Sequence, residues 1–265
     1  MPEGDSAYRA AHHLARSLAG REVTDFSLRV PAHATADLRG ERIEGADARG
    51  KHVLLRIGEF TVQSHFGMDG SWRLVRPGEA GRASWPARHR LRAVIGTDAV
   101  VALGIDLAKL ALWRTRDEAS KLGWLGPDLL SPEPDLEEAA RRIRLEPERP
   151  LTAALLDQGN VAGLGNEYVT ELLFLRGIRP DRRVGDAGDL DELLAHARDL
   201  MLENRDRVER TFTGNPRPGQ RSYVFGRAGH ACRRCGTVIL EGTHASGQRE
   251  GGTRRSAWCP RCQAS

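Results

Sequence analysis

Gly159-Asn160-Val161-Ala162-Gly163-Leu164-Gly165-Asn166 lies between two apolar helical patterns, Leu151 to Asp157 and Asn166 to Arg176. Glycines at 159, 163 and 165 let the chain turn sharply and let backbone approach backbone or a phosphate. A helix N-terminus presents unbonded N–H groups to an anion, and Asn166 is placed to cap the second helix. The stretch therefore reads as a helical hairpin with an anion-binding edge. Helical periodicity continues on both sides, from Asp135 to Ile143 and from Leu190 to about Thr211.

Upstream, Gly126-Pro127-Asp128 and Ser131-Pro132-Glu133-Pro134 predict a linker. Before it the period changes from helical to alternating. Short runs at Glu22 to Val30, His52 to Ile57, Phe60 to Ser64, Ser71 to Leu74, Leu91 to Ile95 and Ala99 to Leu103 predict a β-sandwich. A helix is expected over 5–18, with Asp5 as N-cap, Tyr8, Ala11, Leu14 and Leu18 on one face, and Gly20 as the stop. The fold class is α+β: a β-sandwich domain with an N-terminal helix (1–122), a linker (123–135), a helical domain (136–228) and a small C-terminal module (229–265). At 265 residues the chain is long enough for two ordinary cores.

All four cysteines lie in that last module, as Cys232-x-x-Cys235 and Cys259-x-x-Cys262 with 23 residues between the pairs. Two such pairs read as a tetrahedral four-thiolate site for one structural Zn²⁺, with no ligand position left open for catalysis. A disulfide reading needs an oxidising compartment, which is not expected for this chain. Only Lys51, Lys109 and Lys121 are lysines, so nearly all positive charge is arginine. Residues 201–265 hold 12 arginines against five acids, which points to a polyanionic partner, phosphate first. No apolar run approaches a membrane span, so a soluble intracellular protein is expected.

Chemistry is concentrated at the start, in Pro2-Glu3-Gly4-Asp5. Once Met1 is removed, which a small second residue permits, Pro2 is a secondary amine beside a carboxylate. Such an amine can attack an aldehyde-like carbon and must then give a cationic iminium, an electron sink suited to sugar chemistry. With a reference pKa near ~8, an α-amino group is partly unprotonated at neutral pH without burial. Gly50-Lys51-His52 places a lysine at a strand entrance, and His65-Phe66-Gly67-Met68-Asp69-Gly70 offers an apolar side chain, Met68, at a turn.

Together, Pro2-Glu3-Gly4, Gly50-Lys51, His65-x-Gly-Met68-x-Gly70, Gly126-Pro127-Asp128, Leu156-Asp157-Gln158 through Gly165-Asn166 and the four-cysteine finger resemble the formamidopyrimidine-DNA glycosylase and endonuclease VIII family. Pro-Glu-Gly-Asp and Phe225-Gly226-Arg227-Ala228-Gly229 resemble its actinobacterial endonuclease VIII branch most. The resemblance implies a helix-two-turn-helix DNA-binding domain, a zinc finger and a bifunctional DNA glycosylase and abasic-site lyase of base-excision repair. Pro2 would be the nucleophile, Glu3 the acid/base, and Lys51 a phosphate contact assisting elimination; Met68 would fill the void left by the flipped base. Asn166 and Arg254, five positions before Cys259, would grip backbone phosphates, with Arg255 as rival to Arg254. The implied partner is double-stranded DNA with damaged bases or abasic sites, met by a monomer in the bacterial cytoplasm, at the nucleoid and away from membranes.

The guanine-lesion branch carries an Arg-Arg-Phe-Gly-like loop where this chain reads Gly104-Ile105-Asp106-Leu107-Ala108-Lys109-Leu110. Oxidised pyrimidines are therefore the expected lesions, ahead of 8-oxoguanine or formamidopyrimidine. A non-catalytic zinc-finger DNA-binding protein is the alternative from another class. The finger's Gly247, Gly251 and Gly252 make it longer than the family pattern, and lesion choice is expected to depend on the stretch from Phe212 to Tyr223.

Overall fold

The computed structural model describes residues 1–77, 85–245 and 252–264, so Gly247 and Gly251 lie outside the described residues. The chain divides into two compact units, Met1–Trp124 and Leu125–Ser265.

In the first unit, α1 (Gly4–Leu18) buries Ala7, Ala11, Leu14 and Leu18, the i, i+4, i+7, i+11 stripe of an amphipathic helix. Ala7 rather than the half-buried Tyr8 leads that face. The N-cap is Glu3, not Asp5: Glu3 has extended backbone and its carbonyl accepts from Ser6 N and Ala7 N at 3.1 Å each. Asp5 sits in the first turn, where its carboxylate accepts from Ser6 N at 2.7 Å. Gly20, at φ +81°, ends the helix as expected.

Among the described residues of this unit, eight strands form two antiparallel four-stranded sheets. One runs β1 (Asp25–Leu28), β6 (Leu91–Gly96), β7 (Val101–Ile105), β5 (Ser71–Val75). The other runs β2 (Ile43–Arg49), β3 (His52–Ile57), β4 (Phe60–His65), β8 (Lys109–Arg114). Inward residues of both sheets, among them Phe26, Leu28, Ile95, Val53, Leu55 and Ile57, share one core with the α1 stripe, which makes this a sandwich. Strands β2 and β8 escaped the sequence reading. β2 reads Ile-Glu-Gly-Ala-Asp-Ala-Arg, poor in β-branched residues, and is held by its ladder to β3.

Beyond β8, the segment 115–124 crosses the outer face of the second sheet and includes α2 (Glu118–Leu122). Glu118 fastens it, receiving Arg56 at 2.9 and 3.0 Å and the Thr61 hydroxyl at 2.5 Å.

The second unit holds α3 (Leu136–Arg144), α4 (Leu151–Leu156), α5 (Asn166–Leu175), α6 (Leu190–Asn204) and the two-stranded antiparallel hairpin β9 (Leu240–Ala245) and β10 (Thr253–Trp258). Part of the expected linker packs on this unit: Leu129 and Leu130 are buried, and Arg198 of α6 donates to the carbonyls of Leu129, Ser131 and Pro132. Helix α6 stops at Asn204, short of Thr211. The buried Asn204 amide donates to Leu200 O and Thr211 O and accepts from Thr211 N, folding the chain back.

Candidate active site and nucleic-acid interface

Pro2 is half-buried immediately ahead of the buried Glu3, at the α1 start, whose dipole favours a carboxylate. The apolar stripe of α1 packs with β2 and β3, and the turn joining those strands is Gly50-Lys51. Gly50 has φ +56°, so the two-residue hairpin turn needs a glycine there, and Lys51 follows it at the strand entrance.

A rung of basic residues crosses the same end of the sheet. Arg49, His52, His65 and Lys109 are paired in register across β2, β3, β4 and β8, so their side chains share one face. His52 Nδ1 lies 2.6 Å from Gln63 Nε2, and the two imidazoles are 5.2 Å apart. Burial first, then His65, Lys109 and Lys51, push His52 down to about 3; burial, Lys51 and Lys109 push His65 down to about 4. Both rings are neutral at pH 7. An unfolded chain takes up protons near pH 6.5 that the folded chain refuses, so stability is lost as pH falls from there toward about 3. For His52 alone the loss approaches about 3 kcal/mol near pH ~4. Melts of His52→Gln across that range should show a shallower fall in Tm than wild type.

The turn after β4 carries Met68, 58% exposed, between Gly67 at φ +67° and Gly70. A Cβ on Gly70 would lie 2.4 Å from Phe66 O, so only glycine fits. β7 and β8 are joined by Asp106-Leu107-Ala108 alone. Asp106 has φ +47° and receives Arg90 at 2.8 and 2.6 Å, so the chain turns tightly between the two strands.

In the second unit, Gln158 staples the glycine-dense turn. Its amide donates to Leu156 O and Leu164 O, and its Oε1 accepts from Gly163 N. Gly126 is pressed against this turn, with a Cβ there falling 2.4 Å from Asn160 O. The N-cap of α5 is Gly165 rather than Asn166; Asn166 is the first helical residue, because its side chain is engaged elsewhere. Its Nδ2 donates to Arg255 O at 2.8 Å, tying the helix start to β10.

Arg254 and Arg255 are both exposed and point to opposite faces of the hairpin. Arg254 pairs across the strands with His244 and shares its face with Ser256 and Trp258, whereas Arg255 reaches Glu241 at 3.7 Å. The hairpin therefore already supplies a carboxylate to one of the two.

The four cysteine sulfurs lie within 4.8 Å of one another, with Cys232–Cys262 at 3.9 Å and Cys235–Cys259 at 3.4 Å. Zn–S bonds of about 2.3 Å in a tetrahedron demand separations of about 3.8 Å, so the donor set fits zinc. Arg234 N and Cys262 N point at Cys232 Sγ and Cys259 Sγ, each at 3.4 Å. Without a counter-charge the sulfurs cannot all ionise: burial, then the neighbouring sulfurs, push Cys262 up to about 12.

Sequence reasoning missed three residues. Glu171, wholly buried on α5, accepts from Tyr223, Val224 and Phe225 N at 2.7–2.8 Å, a tie signalled only by an acid set in the middle of an apolar helix. Arg233, between two of the cysteines, donates to Ser222 O at 3.1 Å and to Gln220 Oε1 at 2.6 Å. It thereby pins the stretch expected to bear on lesion choice. The third is Trp124, whose exposed indole meets the ring of His52 at 6.3 Å.

Residues 1–110 match the formamidopyrimidine-DNA glycosylase N-terminal domain, and residues 125–201 match the formamidopyrimidine-DNA glycosylase H2TH domain. The chain is 44% identical to the probable endonuclease 8 2 of Streptomyces coelicolor, covering 100% of this chain and 94% of the relative. It is 40% identical to the DNA-(apurinic or apyrimidinic site) lyase Nei2 of Mycolicibacterium smegmatis, over 99% of each. Among solved structures, the Lactococcus lactis Fpg in complex with abasic-site DNA superposes with a TM-score of 0.80 at 22% identity, over 99% of this chain and 100% of that one. Sandwich, stapled helical hairpin and four-cysteine finger thus stand in one order along a full-length match, and the chain belongs to the formamidopyrimidine-DNA glycosylase and endonuclease VIII family of DNA-repair enzymes.

Proposed function

We propose that this chain is a bifunctional DNA glycosylase and abasic-site lyase that removes oxidised pyrimidines from double-stranded DNA. The observation that carries the reading is Pro2 set directly before the buried Glu3 at the start of α1, in a chain 40% identical to a named abasic-site lyase. Residues 1–122 would carry the chemistry, and the helical domain 136–228 with the finger 229–265 would grip the DNA as a monomer. After loss of Met1, the Pro2 nitrogen attacks C1′ of a flipped nucleotide while Glu3 protonates the ring oxygen. The base departs and an iminium remains. That cation acidifies the C2′ proton, and phosphate leaves by β- and then δ-elimination, giving a one-nucleotide gap with phosphate at both ends. Lys51 neutralises the adjacent phosphate during elimination, and Met68 fills the gap in the stack, since flipping costs a few kcal/mol.

Zinc on Cys232, Cys235, Cys259 and Cys262 supplies no reactive group; it neutralises thiolates and holds β9 and β10. Among the described residues no helix is long and apolar enough to cross a membrane. End-labelled duplexes with an oxidised pyrimidine or 8-oxoguanine test the reading. Faster gap formation at the pyrimidine supports it, and faster excision of 8-oxoguanine overturns the lesion assignment.

Arg254 is the proposed phosphate contact. Its loss should cost on the order of 1.5–3 kcal/mol of binding, about ten- to a hundredfold, with a shallower dependence on salt. Arg255→Ala should change either quantity little, because Arg255 already faces Glu241. Fluorescence anisotropy at several salt concentrations separates the two, and the reverse ranking would mean the hairpin register assigns the roles the other way.

A further inference from the structure

Trp124 is 55% exposed, the one aromatic among the exposed large apolar side chains of the described residues. It is also firmly held. Leu122, two residues earlier, is buried, and the segment that carries both is fastened to the sheet by the Glu118 pair with Arg56. The indole meets the His52 ring at 6.3 Å and 90°, and His52 is itself fixed by Gln63 and by His65. An indole rigidly seated yet mostly in water adds no core packing to match its size, but it offers a pre-ordered π surface at small entropic cost.

Its surroundings select the ligand. His52 adjoins Lys51 in sequence and stands in the rung that ends in Lys109, and both lysines act electrostatically on His52. A neutral aromatic plane beside two cations matches a nucleotide, with π face and phosphate together. A base still paired in a duplex shows only its edge, so the ligand must be unpaired.

We infer that Trp124 is a stacking platform for an unpaired nucleobase next to the backbone phosphate held at Lys51. This rests on the proposed DNA function and extends it: the first unit would bind single-stranded or locally opened DNA by stacking as well as by charge.

The test uses the full-length, zinc-replete protein and two fluorescein-labelled single strands. Each carries a central non-cleavable abasic analogue; in the second, the flanking nucleotides also lack bases. Wild type should bind the first about five- to a hundredfold more tightly. Trp124→Ala should erase that preference while keeping the salt slope, and Trp124→Phe should keep most of it. A preference undiminished in Trp124→Ala, or absent from wild type, overturns the platform. Failure of the underlying reading is seen separately, as the absence of a borohydride-trapped adduct between wild type and abasic duplex.

Discussion

A chain carrying an uncleaved N-terminal extension should bind abasic-site DNA as wild type does and cut none of it. Extension turns the Pro2 nitrogen into a tertiary amide whose lone pair is committed to resonance with the carbonyl, so it can neither attack C1′ nor carry an iminium. Binding should survive, because Asn166, Arg254 and the finger are untouched. Pro2→Gly is milder, since it leaves a primary amine, but it loses the obligatory cation and the ring that orients the lone pair. Cleavage should still fall on the order of a hundredfold or more, in kcat rather than in binding. Mass spectrometry of the N-terminus alongside gel cleavage checks both, and full activity from an extended chain would remove Pro2 from the mechanism.

Cys259→Ser should have the second largest effect, abolishing high-affinity DNA binding while leaving the sandwich folded. Cys259 contributes its sulfur to the cluster, and its backbone N–H donates to Gln263 Oε1, whose amide in turn donates to Ile178 O at 2.7 Å. Loss of the metal removes about 10–16 kcal/mol of apparent binding free energy that folds the finger. Arg254 and the Asn166 tie to Arg255 O should both be misplaced, for a loss of affinity beyond about a hundredfold. Metal analysis beside anisotropy decides it: an active preparation holding well under one zinc per chain would contradict the structural role given to the metal.

What the sequence made legible was local. Strand β3 and the α1 stripe from Ala11 onward follow from period alone, and the cysteine spacing by itself announces a cluster. Capping went wrong at both informative helices, where Asp5 and Asn166 lie one or two residues inside the helix. Asp5 instead accepts from Ser6 N within the first turn, and the Asn166 side chain is drawn to Arg255 O. Long-range ties were invisible for a different reason. Gln63 meets His52 only once β3 and β4 are in register, and Glu171 reaches Tyr223 across fifty-two positions. Trp124 looks like an ordinary residue of a glycine-flanked turn until the sheet beneath it is assembled.

Borohydride trapping with abasic-site duplex reports the Pro2 iminium itself, because reduction converts that transient species into a stable amine linking protein to DNA. Mature, zinc-replete wild type should give one covalent adduct, and peptide mapping should place it on the Pro2 nitrogen; the extended chain should give none. A wild-type protein that binds the duplex yet yields no adduct, or an adduct that persists when the N-terminus is blocked, would contradict the account.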